Sequence, residues 1–222
     1  MPNISCDNKE PVPRVVVDAP QLDLKYDQQH QFKLSEGGEE LQPQTFVWKS
    51  DDETVGTVDA NGKFTARRVG ETIVHAVSPD GEMQIESKVT VSPYSSLYTE
   101  PVLLWGASQT QVKAGEKRKI SESSPYYLAF TGETTTVKKA EYYFSPDQKL
   151  SGANIYLGNT QEAYQEAVLY LKERYPDNFT YKNTTAPFQL IHSFFNDAKT
   201  MRIDFSATEI SGNVVNYYSF TF

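Results

Sequence analysis

Three consecutive carboxylates, Asp51, Asp52 and Glu53, follow Trp48 by three residues and precede an Asn61-Gly62 turn. Adjacent hard oxygen donors are the chemistry of a calcium site. A calcium loop alternates its acids with spacers and turns at a fixed glycine, and this cluster does neither, so it reads as a solvated bend after a strand. Glu36, Glu39 and Glu40 read the same way. His30, His75 and His192 have no histidine four residues away and fall in separate strand-like runs, the pattern of strand residues rather than of zinc ligands. Glycine-rich phosphate loops and a Gly-x-Ser-x-Gly elbow are absent. Carboxylates flanking a glycosidic bond are defined by the fold rather than by spacing, and no pair is nominated. The sequence therefore offers no catalytic residue, no metal ligand and no cofactor site.

Aromatic residues give the one positive signal. Tyr126-Tyr127, Tyr142-Tyr143-Phe144 and Tyr217-Tyr218 are neighbours within strand-like runs, and neighbours on a strand point to opposite faces. One member of each pair must leave the face the other occupies. Gathered on a sheet face without helices, the outward members would stack on sugar rings or form a protein-binding patch. The alternative is that helices and the first domain cover them. Tyr126, Tyr127, Tyr142, Tyr143, Tyr217 and Tyr218 are the candidate ligand-binding residues.

The single cysteine, Cys6, excludes an internal disulfide and a cysteine-based structural zinc site. Its setting, Ser5 before it and the polar run Asp7 to Glu10 after it, fits the lipidation site of a bacterial lipoprotein, whereas Asn3 and the short leader do not. A lipid anchor at Cys6 and an incidental thiol on a terminal tether, residues 1–12, both stand.

The elements that must position these residues fall into two regions. Residues 1–95 hold 16 Asp/Glu against 9 Lys/Arg and residues 96–222 hold 13 against 12, while 22 of the 28 aromatic residues follow Ser96. With a formal charge of −8 and a pI near 5.0, neither region offers the basic stripe that nucleic acid requires. No apolar run is long enough to span a membrane, so membrane association is expected only through Cys6.

In the first region hydrophobic residues recur with period two, in runs near Val15–Val17, Leu22–Lys25, Gln31–Leu34, Phe46–Lys49, Gly56–Val58, Lys63–Ala66, Thr72–Val77 and Ile85–Val91. Gly37-Gly38, Asn61-Gly62 and Asp80-Gly81 lie between them, and the two Asx-Gly pairs predict two-residue hairpins. The pattern is that of a β-sandwich. The frame Trp48, Ser50, Asp52, Val55, Val58, Asp59, Gly62, Phe64, Ala66, Gly70, Thr72, Val74, Ala76 and Val89 to Val91 resembles the bacterial Ig-like domain, group 2. That resemblance, assigned to residues 13–93, implies that Trp48 fills the space between two sheets and that the acids have a structural role.

Residues 94–101, with their prolines and serines, read as a linker. Beyond it, Ser108 with Gln111 predicts a capped helix closed by Gly115, and Asn159 with Glu162 predicts a second, whose stripe is Tyr164, Ala167, Val168, Leu171 and Tyr175. Strand-like runs follow each helix. The expected fold class is thus two domains: an all-β Ig-like sandwich, then an α+β domain over residues 102–222 with an antiparallel sheet and two helices on one face, built as two tandem α-β-β-β units. The order of elements, with the "WGAS", "YYF" and "IYL" stretches, resembles small Gram-negative envelope modules, the assembly lipoproteins of the SmpA/OmlA type and the β-lactamase-inhibitor-protein fold. That resemblance implies protein binding. The expected function is a non-enzymatic cell-envelope protein, periplasmic or on the outer surface, whose Ig-like spacer presents a module for a protein or glycan. Two alternatives remain open: a glycan- or peptide-processing enzyme, and an envelope assembly factor or protein inhibitor.

Overall fold

The computed structural model describes residues 15–175, 177–183, 189–208 and 212–219; Cys6 and the tether lie outside the described residues. The chain divides into two compact units, Met1–Ser92 and Pro93–Phe222.

The first unit contains strands β1 Val15–Val17, β2 Gln21–Lys25, β3 Gln29–Gln31, β4 Leu34–Glu36, β5 Glu39–Leu41, β6 Val47–Ser50, β7 Gly56–Val58, β8 Lys63–Ala66, β9 Gly70–Val77 and β10 Gln84–Ser92. One sheet has the order β2-β10-β9-β6, with β2 parallel to β10; the others are β1-β4-β5 and β3-β8-β7. Alternation along β9 decides its role: Thr72, Val74 and Ala76 are buried while Glu71 and Ile73 face out. Val74 packs with Val89, Val91, Phe32 and Phe64 between the sheets, each such side chain contributing about 1.5–3 kcal/mol relative to exposure.

The hairpins differ from the expected two-residue form. Val58 pairs with Phe64, leaving five residues between them, among which Gly62 N–H donates to Asp59 O at 3.0 Å. Gly62 and Gly81 have positive φ, but Asn61 and Asp80 do not. An aspartate serves each turn instead: Asp59 Oδ1 accepts from the Asn61 and Lys63 amides at 2.8 and 2.9 Å, and Asp80 Oδ1 from the Glu82 amide at 3.1 Å.

The second unit contains α1 Gln109–Gly115, β11 Ile120–Ser124, β12 Tyr127–Thr131, β13 Val137–Phe144, β14 Leu150–Leu157, α2 Gln161–Arg174, β15 Asp177–Asn183, β16 Gln189–Phe195, β17 Met201–Thr208 and β18 Gly212–Ser219. The strands form one antiparallel sheet in the order β11-β12-β13-β14-β18-β17-β16-β15. Each half is a helix followed by four strands, and the last strand of each half, β14 and β18, pair at the centre. Three strands per half is therefore corrected to four. Strand β11, Ile-Ser-Glu-Ser-Ser, is exposed throughout at the sheet edge and carries no alternation to detect.

Val112 of α1 and Ala167, Tyr170 and Leu171 of α2 share one core with Tyr142, Ile155, Phe205 and Tyr217 of the strands. The Ser108–Gln111 capping box forms. The second helix begins one residue later than expected, because Thr160 rather than Asn159 accepts from the Ala163 amide.

Residues 94–101 are corrected from linker to core. Ser95, Leu97 and Tyr98 are buried, Tyr98 shares a 2.7 Å hydrogen bond with the Tyr217 hydroxyl, and the Tyr94 and Ser95 amides donate to the buried Glu173 carboxylate at 2.8 and 3.2 Å. Their side chains supply apolar surface that the sheet lacks, which composition alone concealed.

Candidate functional site: the sheet face opposite the helices

Alternation and register assign the strand side chains of the second unit to two faces. On the face away from the helices, one row crosses the sheet in register: Tyr127 opposite Tyr143, Tyr143 opposite Gly152, Gly152 opposite Tyr218, Tyr218 opposite Arg202, and Arg202 opposite Phe195. A second row runs Ala129, Glu141, Asn154, Asn216, Asp204, Ser193 and Phe179, and a third includes Lys139, Tyr156, Val214 and Ser206. Tyr143 and Tyr218 are 36% and 42% exposed, with only Gly152 between them.

The six nominated tyrosines divide between core and surface. Tyr127, Tyr143 and Tyr218 lie on this face, and Tyr126, just before β12, is exposed. Tyr142 and Tyr217 are corrected from candidate ligand contacts to core residues: both are fully buried. The Tyr142 hydroxyl donates to Glu116 and accepts from the Val102 amide at 2.9 Å, while Tyr217 is satisfied by Tyr98. Alternation requires this split, since the inward member of each pair fills the space beneath the helices.

The face is stiffened by two acids, Glu141 buried and Asp204 half-buried. Glu141, 3% exposed, accepts from the Tyr127 hydroxyl at 2.7 Å, from the Tyr143 hydroxyl and from Lys139 Nζ. Burial pushes its carboxyl up, but hydrogen bonds from Lys139, Tyr143, Tyr127 and Tyr156 outweigh burial and hold it below the usual glutamate value. Burial first, and then the Glu141 carboxylate, pushes the Tyr127 and Tyr143 phenols well above the ordinary tyrosine range. Lys139 Nζ also lies 4.1 Å from the Tyr156 ring centroid, a cation–π contact. In the other half of the sheet, on the same face, Asp204 Oδ1 accepts from Ser193 Oγ at 2.6 Å and from Arg202 Nε at 2.7 Å. The rings are thus held in place before any ligand arrives, which lowers the entropy lost on binding.

Sequence reasoning missed Lys139, Glu141, Asn154, Tyr156, Phe179, Phe195, Arg202, Asp204 and Asn216 on this face. A signal was available: Lys-x-Glu followed by Asn-x-Tyr at 139–156 recurs as Arg-x-Asp followed by Asn-x-Tyr at 202–218.

The acids and histidines of the first unit have structural partners. Asp52 Oδ1 accepts from the Thr54 amide and hydroxyl at 2.9 and 2.5 Å, and those bonds, with Arg68, hold its carboxyl below the usual aspartate value despite partial burial. Asp51 lies 3.0 Å from His75 Nε2, and Gln84 is 2.9 Å from His75 Nδ1. Trp48 stacks on Phe32 at 5.6 Å and donates to Pro43 O at 2.9 Å. Elsewhere His30 lies 3.3 Å from Asp18, and His192 contacts the Tyr164 and Thr180 hydroxyls at 2.5 and 2.9 Å, with burial pushing its pKa down. Among the described residues no group of three or more His, Cys, Asp or Glu is placed to hold a metal ion, and no helix is long and apolar enough to cross a membrane.

Residues 11–91 match the family model of the bacterial Ig-like domain (group 2). No curated protein matches the chain. Among solved structures, the DUF4309 family protein YjgB of Bacillus subtilis is 11% identical, covering 51% of this chain and 79% of its own, with a TM-score of 0.28. Domains 4–9 of the surface layer protein SbsC are 12% identical over 94% of this chain and 27% of theirs, at 0.29. An intimin mutant of enterohaemorrhagic O157:H7 is 13% identical over 91% of this chain and 98% of its own, at 0.28. Likeness at this level establishes no shared function, and none of these matches carries the resemblance of residues 100–222 to envelope lipoproteins.

Proposed function

We propose that this chain, whose residues 11–91 form a bacterial Ig-like domain, is a non-enzymatic surface or adhesion-type protein that binds a protein partner through the open sheet face of its second unit. The observation that carries this reading is the register row in which exposed Tyr143 and Tyr218 flank Gly152, with Tyr127 and Arg202 beside them. Tyrosine and arginine dominate the energetic centres of protein interfaces, and Ser, Gly and Asn accompany them in recognition surfaces. The residues of the three rows, at ~4.8 Å between strands and ~6.8 Å between alternate residues, cover about 550 Å², the size of a weak or transient contact rather than the ~800 Å² per partner of a standard interface.

The test compares the full chain with its Tyr143→Ala/Tyr218→Ala variant against cell-envelope extract and a polysaccharide panel. Capture of a protein by the wild type and its loss in the variant supports the reading. Binding only to polysaccharide, or turnover of any panel member, overturns it. A lipid on Cys6 is the anchor this reading uses, giving a cell-envelope location. The intact mass of the native protein checks it: a free thiol removes the anchor and leaves the binding face untouched.

A further inference from the structure

The open face is internally duplicated. In the central strand pair Asn154 stands opposite Asn216. Stepping outward, Glu141 faces Asn154 and Asp204 faces Asn216, while Lys139 faces Tyr156 and Arg202 faces Tyr218. A two-fold axis through the asparagine pair therefore maps Lys139, Glu141, Asn154 and Tyr156 onto Arg202, Asp204, Asn216 and Tyr218.

The two copies differ in what covers the acid. Over Glu141 the Tyr127 and Tyr143 hydroxyls close the site, together with Lys139. The positions equivalent to Tyr143 and Tyr127 are Ser206 and Ile191, which bring no phenol to Asp204. Asp204 instead holds Arg202 by its Nε edge at 2.7 Å, and Nη2 adds only a 3.4 Å contact to Ser193 Oγ. Among the described residues Nη1 has no hydrogen-bond partner. The Arg202 side chain is 36% exposed and lies in register between Tyr218 and Phe195. A guanidinium fixed along one edge presents its remaining N–H groups in the fork that fits a carboxylate.

Charge is distributed the same way. The chain carries −8 in all, yet on this face the cations stand outward, the Lys139 and Arg202 side chains 44% and 36% exposed, over the Glu141 and Asp204 side chains at 4% and 15%. Around Glu141 and Asp204 a partner encounters ammonium and guanidinium before carboxylate; an exposed acid of the face, Glu122 of β11, stands apart at the sheet edge in register with Ala129.

We propose that Arg202 is the anchor of the binding face and takes an aspartate or glutamate side chain of an acidic protein surface, seated between Tyr218 and Phe195. This rests on the reading of the face as a protein-binding surface. It adds the partner's chemistry and makes the two halves unequal: the Glu141 half supports the rings and the Asp204 half recognises the acid.

The test uses the full chain and two synthetic peptides, acetyl-(Glu-Tyr)4-amide and acetyl-(Lys-Tyr)4-amide, with polygalacturonate as a third probe, titrated by fluorescence anisotropy or calorimetry at low ionic strength. The acidic peptide is expected to bind at least tenfold more tightly than the basic one. Arg202→Ala should weaken it about tenfold or more, the loss of one fork-to-carboxylate contact. Arg202→Lys, which keeps the charge without the fork, should fall between, and thermal unfolding identifies any variant that has lost its fold; should Arg202→Ala be one, Arg202→Lys carries the test. Equal binding of the two peptides, or undiminished binding by the Arg202 variants, overturns the anchor. If Tyr143→Ala/Tyr218→Ala abolishes binding while the Arg202 variants do not, the anchor alone falls and the face reading survives. If no substitution matters, or no peptide binds, both fall. Arg202-dependent binding of polygalacturonate alone replaces the protein partner with an acidic glycan.

Discussion

At the scale of single residues, Glu141 tests how the open face is held. Its carboxylate gathers two phenols and an ammonium, and hydrogen bonds to a charged acceptor contribute about 1.5–3 kcal/mol each. Glu141→Gln should cost on the order of 2 kcal/mol at neutral pH, read as a fall in the urea midpoint at unchanged slope. The pH dependence has a defined sign. The folded carboxyl lies below the ordinary glutamate value, so its stabilisation is full above that value and is lost as pH falls through the lowered one. Between neutral and acid pH the variant should therefore lose less stability than the wild type, and equal slopes would remove the brace. Gly62 tests the other unit. Its φ is +75°, and an added Cβ would lie 2.8 Å from Trp48 Cζ2. Gly62→Ala should cost about 1–3 kcal/mol from backbone conformation alone, with the ring contact adding to it; a thermal midpoint within a degree of wild type would contradict this.

At the scale of elements, what the sequence disclosed follows from burial. Strands β8 to β10 alternate and lie close to their expected places, and strand-like runs follow each helix as expected. Strands β5, Glu-Glu-Leu, and β11, Ile-Ser-Glu-Ser-Ser, sit at sheet edges and bury little, so no periodicity marks them. The tyrosine pairs made the existence of two faces legible, but not the neighbours. Which residues stand beside Tyr218 is a matter of register: Gly152 enters through β14, a strand distant in sequence, and Arg202 through the pairing of β17 with β18. Acids such as Glu141 were invisible for a related reason: a carboxylate in a strand looks solvated until hydroxyls from two strands converge on it. The helix starts were nearly legible, since Ser, Thr and Asn all cap. Thr160→Ala removes the cap that the structure uses and should destabilise by about 1 kcal/mol, whereas Asn159→Ala should leave the helix start intact. Far-ultraviolet circular dichroism with urea titration distinguishes the two.

At the scale of the whole molecule, the boundary between the units decides which piece carries binding. Composition placed a linker at 94–101, and a fragment begun at residue 102 follows from that choice. The structure makes this stretch part of the second core. Leu97 and Tyr98 are 7% and 4% exposed, Tyr98 shares its hydroxyl with Tyr217, and the Tyr94 and Ser95 amides satisfy the fully buried Glu173. A fragment 102–222 takes both amides from that carboxylate and leaves it Arg174 Nη1 at 3.4 Å, at a cost of about 1.5–3 kcal/mol for each lost hydrogen bond to a charged group. It also leaves cavities where two large side chains stood. Against a typical domain stability of about 5–15 kcal/mol, the sum is enough to abolish cooperative folding. A fragment 93–222 keeps all of these contacts. It should unfold in a single sharp transition and bind whatever the full chain binds through the open face, since every strand of that sheet lies beyond Pro93. Glu173→Ala in the longer fragment should reproduce much of the defect of the shorter one. Equal stability of the two fragments would return residues 94–101 to the status of a linker. Loss of binding by a folded 93–222 fragment would mean that the Ig-like unit takes part in recognition and does not act as a spacer.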